Sequence, residues 1–179
     1  CDKNYIYLIP FKAKYMHIIE RKSSKTRHLS IPINGKFLDG GGKFLNAFLY
    51  NNKIVMVACT YSGIIIFNPG DDSFEEYNEW SKEIDKKSLI EDTSYFRKAM
   101  IDNGVVYAPV CKANIMLKFE LESKKYSLIE VEKAEVGFSA VCKNGGKYYL
   151  SPRRGKGIIV LDSFYKKISS YKLPNGYGK

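Results

Sequence analysis

The chain has 179 residues, of which 45% are hydrophobic and 27% are charged. These proportions exclude a disordered, collagen-like or coiled-coil chain and are sufficient for one packed core. Lys and Arg number 29 against 19 Asp and Glu, a formal charge of +10, which favours an anionic partner. The same excess of Lys, with many Ile, Asn and Tyr residues, is also what an AT-rich genome would produce.

The four cysteines show no CxxC spacing and have no neighbouring histidine pair. This arrangement argues against a zinc site and against a dense disulfide scaffold. No apolar run approaches the roughly 18 residues that a membrane span requires. We therefore expect no cofactor, no metal and no membrane-spanning segment.

Taken in chain order, four segments share one pattern. Each has an apolar or aromatic run, a Pro or small residue, a short polar loop and a second apolar run. The Pro or small residue recurs at intervals of 48, 51 and 43 residues, at Pro10, Ala58, Pro109 and Pro152. Repeats of this length are typical of the four-stranded units of propeller folds.

Two flanking signals recur with these segments. A phenylalanine precedes three of them, at Phe44, Phe96 and Phe138. A tight turn is predicted between each phenylalanine and the first apolar run of its segment. The turns are placed at Asn51-Asn52, Asn103-Gly104 and Asn144-Gly145, because these residues tolerate a positive φ. A further alternating stretch follows each segment, so each copy predicts four short antiparallel strands.

Residues 78–96 are the only stretch with a helical pattern. Ser81 is the predicted N-cap of a short helix that carries Ile84, Leu89 and Ile90. We interpret this stretch as a long insertion between two repeats.

These repeats resemble a β-propeller of the broad kelch-like or WD40-like superfamily. The resemblance covers nearly the whole chain and rests on period and hairpin chemistry, because the WD40 and kelch signatures themselves are absent. It implies an all-β fold in which residues 1–179 form a single propeller domain or fragment. The blades are predicted at residues 4–33, 44–77, 96–130 and 138–172, and the alternative is another repeated β fold or a sandwich.

The register also bears on closure of the propeller. With the strands of a blade labelled a to d from the axis outward, the first copy begins at strand b near Tyr5, and the chain ends just after a strand d. The C-terminal NGYGK cannot supply the missing strand. We therefore expect part of a larger propeller of roughly six to seven blades, or self-association through unclosed edges.

The resemblance places a ligand face at one end of the blades, where the loops between strands b and c emerge. Cationic and aromatic residues in these loops suit an anionic ligand, and Arg153-Arg154 is the strongest element because guanidinium groups bind carboxylate or phosphate through two hydrogen bonds. Connecting segments add further lysines, and the acidic pairs Asp71-Asp72 and Glu75-Glu76 are placed at the opposite end. The alternative is ordinary solvated loop charge. The predicted ligand-binding residues are Lys12, Lys14, Tyr15, Tyr61, Lys112, Arg153, Arg154 and Lys156.

The sequence contains no nucleophile-base pair and no phosphate-binding loop. His17 and His28 fall on predicted strands c and d of the first blade without a paired carboxylate. We therefore predict no catalytic residue and favour a non-enzymatic binding module for a protein partner, an anionic glycan or an anionic small molecule. The alternative is a propeller-class enzyme, a lyase or glycan-active protein, that uses Arg97, Arg153 or a Tyr. A nucleic-acid partner is not expected, because no nucleic-acid-binding module is present.

Overall fold

The structure is a computed structural model that describes residues 1–32, 42–131, 136–155 and 157–172. The predicted all-β class is confirmed, with consecutive antiparallel strands arranged in four sheets. The chain divides into an N-terminal unit, Cys1–Asn78, and a C-terminal unit, Glu79–Lys179. Each unit contains two of the sheets.

The N-terminal unit contains a three-stranded sheet followed by a four-stranded sheet, each with its strands in chain order. The first sheet contains β1 (Tyr5–Leu8), β2 (Tyr15–Glu20) and β3 (Thr26–Ser30). The second contains β4 (Phe44–Tyr50), β5 (Lys53–Ala58), β6 (Ile64–Asn68) and β7 (Ser73–Tyr77). In chain order, β1 to β3 correspond to the strands labelled b, c and d of the first predicted blade.

The C-terminal unit begins with a short helix and contains two four-stranded sheets. The helix is α1 (Ser81–Lys86). The first sheet contains β8 (Met100–Asp102), β9 (Val105–Pro109), β10 (Ile115–Glu120) and β11 (Tyr126–Glu130). The second contains β12 (Phe138–Asn144), β13 (Lys147–Pro152), β14 (Gly157–Leu161) and β15 (Lys167–Lys172).

The predicted helix exists, but its details differ from the expectation. Trp80 occupies the N-cap position and makes no side-chain capping bond, so the prediction of Ser81 as N-cap was wrong. Trp80 is fully buried with Ile84 and packs edge-on against Phe119. Burial of a large indole therefore fixes the start of this helix in place of a polar cap. Leu89 lies beyond the helix and is 59% exposed.

The predicted hairpin turns are confirmed at two of three places. Asn51-Asn52 and Asn103-Gly104 have positive φ values. In the third hairpin the positive-φ pair is Gly145-Gly146, one residue later than predicted. Asn144 extends β12 instead, because two consecutive glycines adopt this conformation at less cost than Asn-Gly.

Apolar side chains that alternate along the middle strands of the sheets form a separate core in each unit. Met16, Ile18, Met56 and Phe67 lie in the core of the N-terminal unit. In the C-terminal unit, the core residues Tyr107 and Tyr148 and the partly buried Tyr165 bring their hydroxyls together. Tyr148 donates to the hydroxyl of Tyr107 at 3.0 Å, and the hydroxyls of Tyr107 and Tyr165 lie 3.2 Å apart.

Replacement of Tyr107 by phenylalanine tests this network. Burial, reinforced by the hydrogen bonds to Tyr148 and Tyr165, raises the pKa of Tyr107 above its ordinary value of 10.0. A raised folded-state pKa gives stability that is fully present below the unfolded-state pKa of about 10 and is lost as pH rises above it. We expect Tyr107→Phe to cost about 1–2 kcal/mol at neutral pH, because it removes hydrogen bonds in the core.

The same variant should lose less stability in alkali than the parent chain. Urea unfolding at about pH 8 and at about pH 11 measures how much stability each chain loses between these two pH values. Tyr171→Phe is the control, since Tyr171 is 58% exposed. Equal alkaline losses in the parent and in Tyr107→Phe would contradict the assigned role of Tyr107.

Candidate functional site

The loops between strands b and c occupy equivalent positions in the three four-stranded sheets. In each, a phenylalanine on the first strand of the sheet or just before it pairs with the last residue of the second strand or with the residue after it. The pairs are Phe44 with Ala58, Phe96 with Val110, and Phe138 with Pro152. The residue after each of these partners donates its N–H to the carbonyl of the residue before the phenylalanine: Cys59 to Lys43, Cys111 to Tyr95, and Arg153 to Gly137. The recurring phenylalanine therefore marks the same structural position in each repeat.

Within each unit, the loop of one sheet is also joined to the segment that enters the next sheet. Lys43 N–H donates to the carbonyl of Phe11 at 2.6 Å. In the C-terminal unit, Phe138 N–H donates to the carbonyl of Val110 at 2.9 Å. These backbone bonds place the two loops of each unit side by side, and each such pair of loops forms the loop end of its unit.

At the loop end of the N-terminal unit, the predicted residues Lys12, Lys14 and Tyr15 lie beside Phe11 and Lys43. Lys12 and Lys14 are exposed, and the Lys14 ammonium lies 5.2 Å from the centre of the Tyr15 ring. Phe11 is 46% exposed and its ring lies directly over Gly42. Lys43 adds a third ammonium, which donates to the carbonyl of Ala13 at 2.8 Å. Among the described residues, neither Lys12 nor Lys14 has an acidic partner.

Tyr61 lies in the same region but is a core residue. Its ring is 5% exposed and packs in the hydrophobic cluster of the N-terminal unit. Its hydroxyl donates to the carboxylate of Glu76 and accepts from the side-chain amide of Asn78. Glu76 therefore lies on β7 near the loop end, which corrects the expectation that it belongs to the opposite end of the blade.

At the loop end of the C-terminal unit, Lys112 is almost fully buried. Its ammonium lies 2.6 Å from a carboxylate oxygen of Asp85 and 3.7 Å from the centre of the Tyr95 ring. Tyr95 donates its hydroxyl to the same Asp85 oxygen at 2.8 Å. Burial raises the pKa of Tyr95, and the bond to Asp85 adds to this, against the opposing effect of Lys112. The helix α1 thus supplies the counterion of Lys112.

Arg153 is likewise engaged by an acid of its own chain. Its Nε donates to Asp92 at 2.7 Å, and a second guanidinium nitrogen lies 3.4 Å from the other carboxylate oxygen. The Asp92 side chain is 3% exposed. Burial tends to raise the pKa of Asp92, but the bonds from Arg153 and from Ser94 N–H, with the charges of Arg153 and Arg97, lower it overall. The guanidinium fork that the sequence assigns to a ligand therefore holds a buried carboxylate.

The two remaining predicted residues are Arg154 and Lys156. Arg154 is exposed, and its side chain has no acidic partner among the residues that the structure describes. Lys156 lies outside the described residues. The predicted cationic set is thus divided into exposed lysines and Arg154 on one hand, and the neutralised Lys112 and Arg153 on the other. Its role in ligand binding stays a prediction.

Sequence reasoning missed Asp85, Asp92 and Tyr95. All three belong to the insertion at residues 78–96, which the sequence assigns to the same end of the blades as the b–c loops. The acids of that insertion were therefore available as partners for the loop cations.

In the described ranges, no group of three or more His, Cys, Asp or Glu side chains is arranged to hold a metal ion. Within the same part of the chain, no helix has the length and apolarity that crossing a membrane requires.

Comparison with known proteins gives likeness at the level of fold. No family model and no curated protein matches this sequence. Among solved structures, a catalytically inactive H270A virginiamycin B lyase from Staphylococcus aureus with quinupristin matches with a TM-score of 0.70 and 13% identity, over 98% of this chain and 54% of that one. Hsv2 from Kluyveromyces lactis matches with a TM-score of 0.60 and 15% identity, over 96% of this chain and 49% of that one.

The computationally designed Ika8 protein also matches, with a TM-score of 0.62, 10% identity and 48% of its chain covered. The predicted β-propeller fold of four-stranded antiparallel blades is therefore confirmed. This chain spans about half the length of these solved structures.

Proposed function

We propose that this chain is a non-enzymatic binding module that binds an anionic ligand at the loop end of its N-terminal unit. The observation that carries the proposal is the loop at residues 11–14, where Lys12 and Lys14 are exposed without an acidic partner among the described residues. Lys112 and Arg153, in contrast, are already neutralised by Asp85 and Asp92. Unpaired cations are the ones that a ligand can neutralise without first breaking an internal ion pair.

The neighbouring rings favour an acidic glycan as the ligand. Phe11 and Tyr15 flank the two lysines, and Phe11 is 46% exposed. Aromatic rings stack against the apolar faces of sugars, while lysine ammonium groups act as point charges that donate hydrogen bonds to carboxylate or sulfate in several directions. A cationic loop with aromatic edges therefore suits a carboxylated or sulfated sugar chain.

Loss of the two exposed lysines should weaken binding of such a glycan. We expect Lys12→Ala/Lys14→Ala to reduce affinity for heparin or polygalacturonate about tenfold or more, which corresponds to about 1.4 kcal/mol. Titration calorimetry measures the affinity, and binding by the parent chain should weaken with added salt because exposed charges are screened. Uncharged dextran should not bind.

Lys22→Ala/Lys25→Ala is the matched control. It removes the same charge from the same sheet, but from the exposed turn at the other end of β2. Equal losses in the two double variants would show attraction to net charge alone and would contradict a site at residues 11–14.

A second candidate is a propeller lyase, favoured by the likeness to the virginiamycin B lyase solved with quinupristin. Incubation of the chain with quinupristin, followed by chromatography, distinguishes the two candidates. Conversion of quinupristin would favour the lyase, and unchanged quinupristin with glycan binding would favour the module. The resemblance to the kelch-like or WD40-like superfamily stays a prediction, since the comparisons support the propeller fold without that assignment.

A further inference from the structure

The chain's two histidines face each other across two adjacent strands. His17 on β2 is the direct antiparallel partner of His28 on β3. The centres of their imidazole rings lie 6.1 Å apart, with the ring planes inclined by 53°. Since the sequence contains only these 2 histidines, all of its imidazole groups meet at one place on the N-terminal unit.

The pair lies on the face of the first sheet that points away from the core of the N-terminal unit. Met16 and Ile18, which flank His17 on β2, are 0% and 1% exposed. Because side chains alternate along a strand, His17 points to the opposite face from these two residues. His17 is half-buried and His28 is exposed, so a small solute can reach the space between them.

Among the described residues, the surroundings of the two rings leave their nitrogens open. The centre of the Tyr15 ring lies 5.2 Å from that of His28, on the side towards the loop end. The neighbouring Arg27 forms an ion pair with Asp72. Within the described residues, neither imidazole has a hydrogen-bond or ion-pair partner.

Two such rings have the spacing of a chelating pair. Directly opposed side chains in an antiparallel pair have their Cβ atoms about 4.5–5.5 Å apart. With metal–nitrogen bonds of about 2.0–2.1 Å, two imidazoles on one ion have ring centres roughly 4.5–6 Å apart. Small side-chain rotations bring the observed 6.1 Å into this range.

We propose that His17 and His28 form a two-imidazole site for a divalent late first-row transition-metal ion. Imidazole is a preferred ligand of Cu²⁺, Ni²⁺ and Zn²⁺, and Cu²⁺ binds a given nitrogen site most tightly of these. Water completes the coordination on the exposed side. The site rests on the strand pairing alone and does not depend on the proposed binding of an anionic ligand.

Pulsed electron paramagnetic resonance of bound Cu²⁺ tests the site, because it counts coordinated imidazoles. The parent for the experiment is Cys1→Ser/Cys142→Ser, since these two exposed thiols would compete for the ion. We expect two imidazoles in this parent and one in the His17→Asn or His28→Asn variant. Competition titration should show at least a tenfold loss of Cu²⁺ affinity in each variant.

A variant that keeps two histidines but separates them is the matched control. Lys25→His/His28→Asn moves one imidazole to the exposed turn beyond β2, away from His17. Its affinity should be as low as that of His28→Asn, with circular dichroism confirming that all variants remain folded. A parent signal from fewer than two imidazoles, or parent-like affinity in this control, would overturn the proposal.

Discussion

Replacing Gly137 with alanine is expected to destabilise the C-terminal unit by roughly 3–5 kcal/mol, or to prevent it from folding. Gly137 has a φ of +71°, and a Cβ added there would lie 1.8 Å from the carbonyl oxygen of Cys111. That oxygen belongs to backbone, so a side-chain rotation cannot relieve the overlap. The Gly137 N–H also donates to Asn114, and its carbonyl accepts from Arg153, so any shift would disturb the adjoining loops.

Gly145→Ala is the control for this prediction. Gly145 also has a positive φ, +54°, but an added Cβ there meets nothing within 4 Å. It should cost only the backbone strain of about 1–2 kcal/mol. Urea unfolding of both variants measures the difference, which isolates the contact with Cys111. Similar losses in the two variants would mean that Gly137 is required for its φ alone.

The repeat and its turns could be predicted because their chemistry is local. A phenylalanine, a turn of residues that tolerate positive φ and an apolar run follow one another within a few residues. The backbone bonds before Phe44, Phe96 and Phe138 show that this short unit has one register throughout. Local consistency of this kind survives even where no family model matches the sequence.

The burial of Tyr61 was harder to predict from the sequence. Tyr15 and Tyr61 both belong to the region of a b–c loop, yet Tyr15 is half-buried and Tyr61 is 5% exposed. The difference lies in Gly63, since a Cβ there would lie 2.2 Å from the Tyr61 ring. The ring folds back over the glycine and into the core. A glycine two residues after an aromatic residue is only a weak sequence signal for burial. Assigning residues to loops by their position in the repeat does not detect it.

The neutralised cations could not be predicted from the loops themselves. Lys112 is 27 residues from Asp85, and Arg153 is 61 residues from Asp92. Neither separation follows the repeat, because both acids belong to the insertion. The sequence predicts where cations gather but leaves open which of them are already paired. That distinction, together with the exposed ring of Phe11 beside Lys12, is what directs the proposed ligand to residues 11–14.

Loss of Arg153 should be the second most damaging change, because it would leave the Asp92 carboxylate buried without its partner. We expect Arg153→Met to cost about 3–5 kcal/mol at neutral pH. Lys87→Met is the control: its partner Glu130 is 71% exposed, and solvent screens such an exposed pair so strongly that its loss should change stability little. Urea unfolding of both variants gives the comparison, and similar small losses would show that Asp92 is not held by Arg153.

The pH dependence identifies the mechanism of this loss. The lowered pKa of Asp92 means that its stabilising effect is present above the unfolded-state pKa of about 3.9 and is lost as pH falls through the folded-state pKa. The gap between the parent and Arg153→Met should therefore be widest near neutral pH and narrow in acid, where the variant can protonate Asp92. Arg153→Met/Asp92→Asn should regain part of the loss at neutral pH, because no unpaired charge remains. A gap that is constant with pH, or a double variant no more stable than Arg153→Met, would assign the effect to lost packing of the arginine stem.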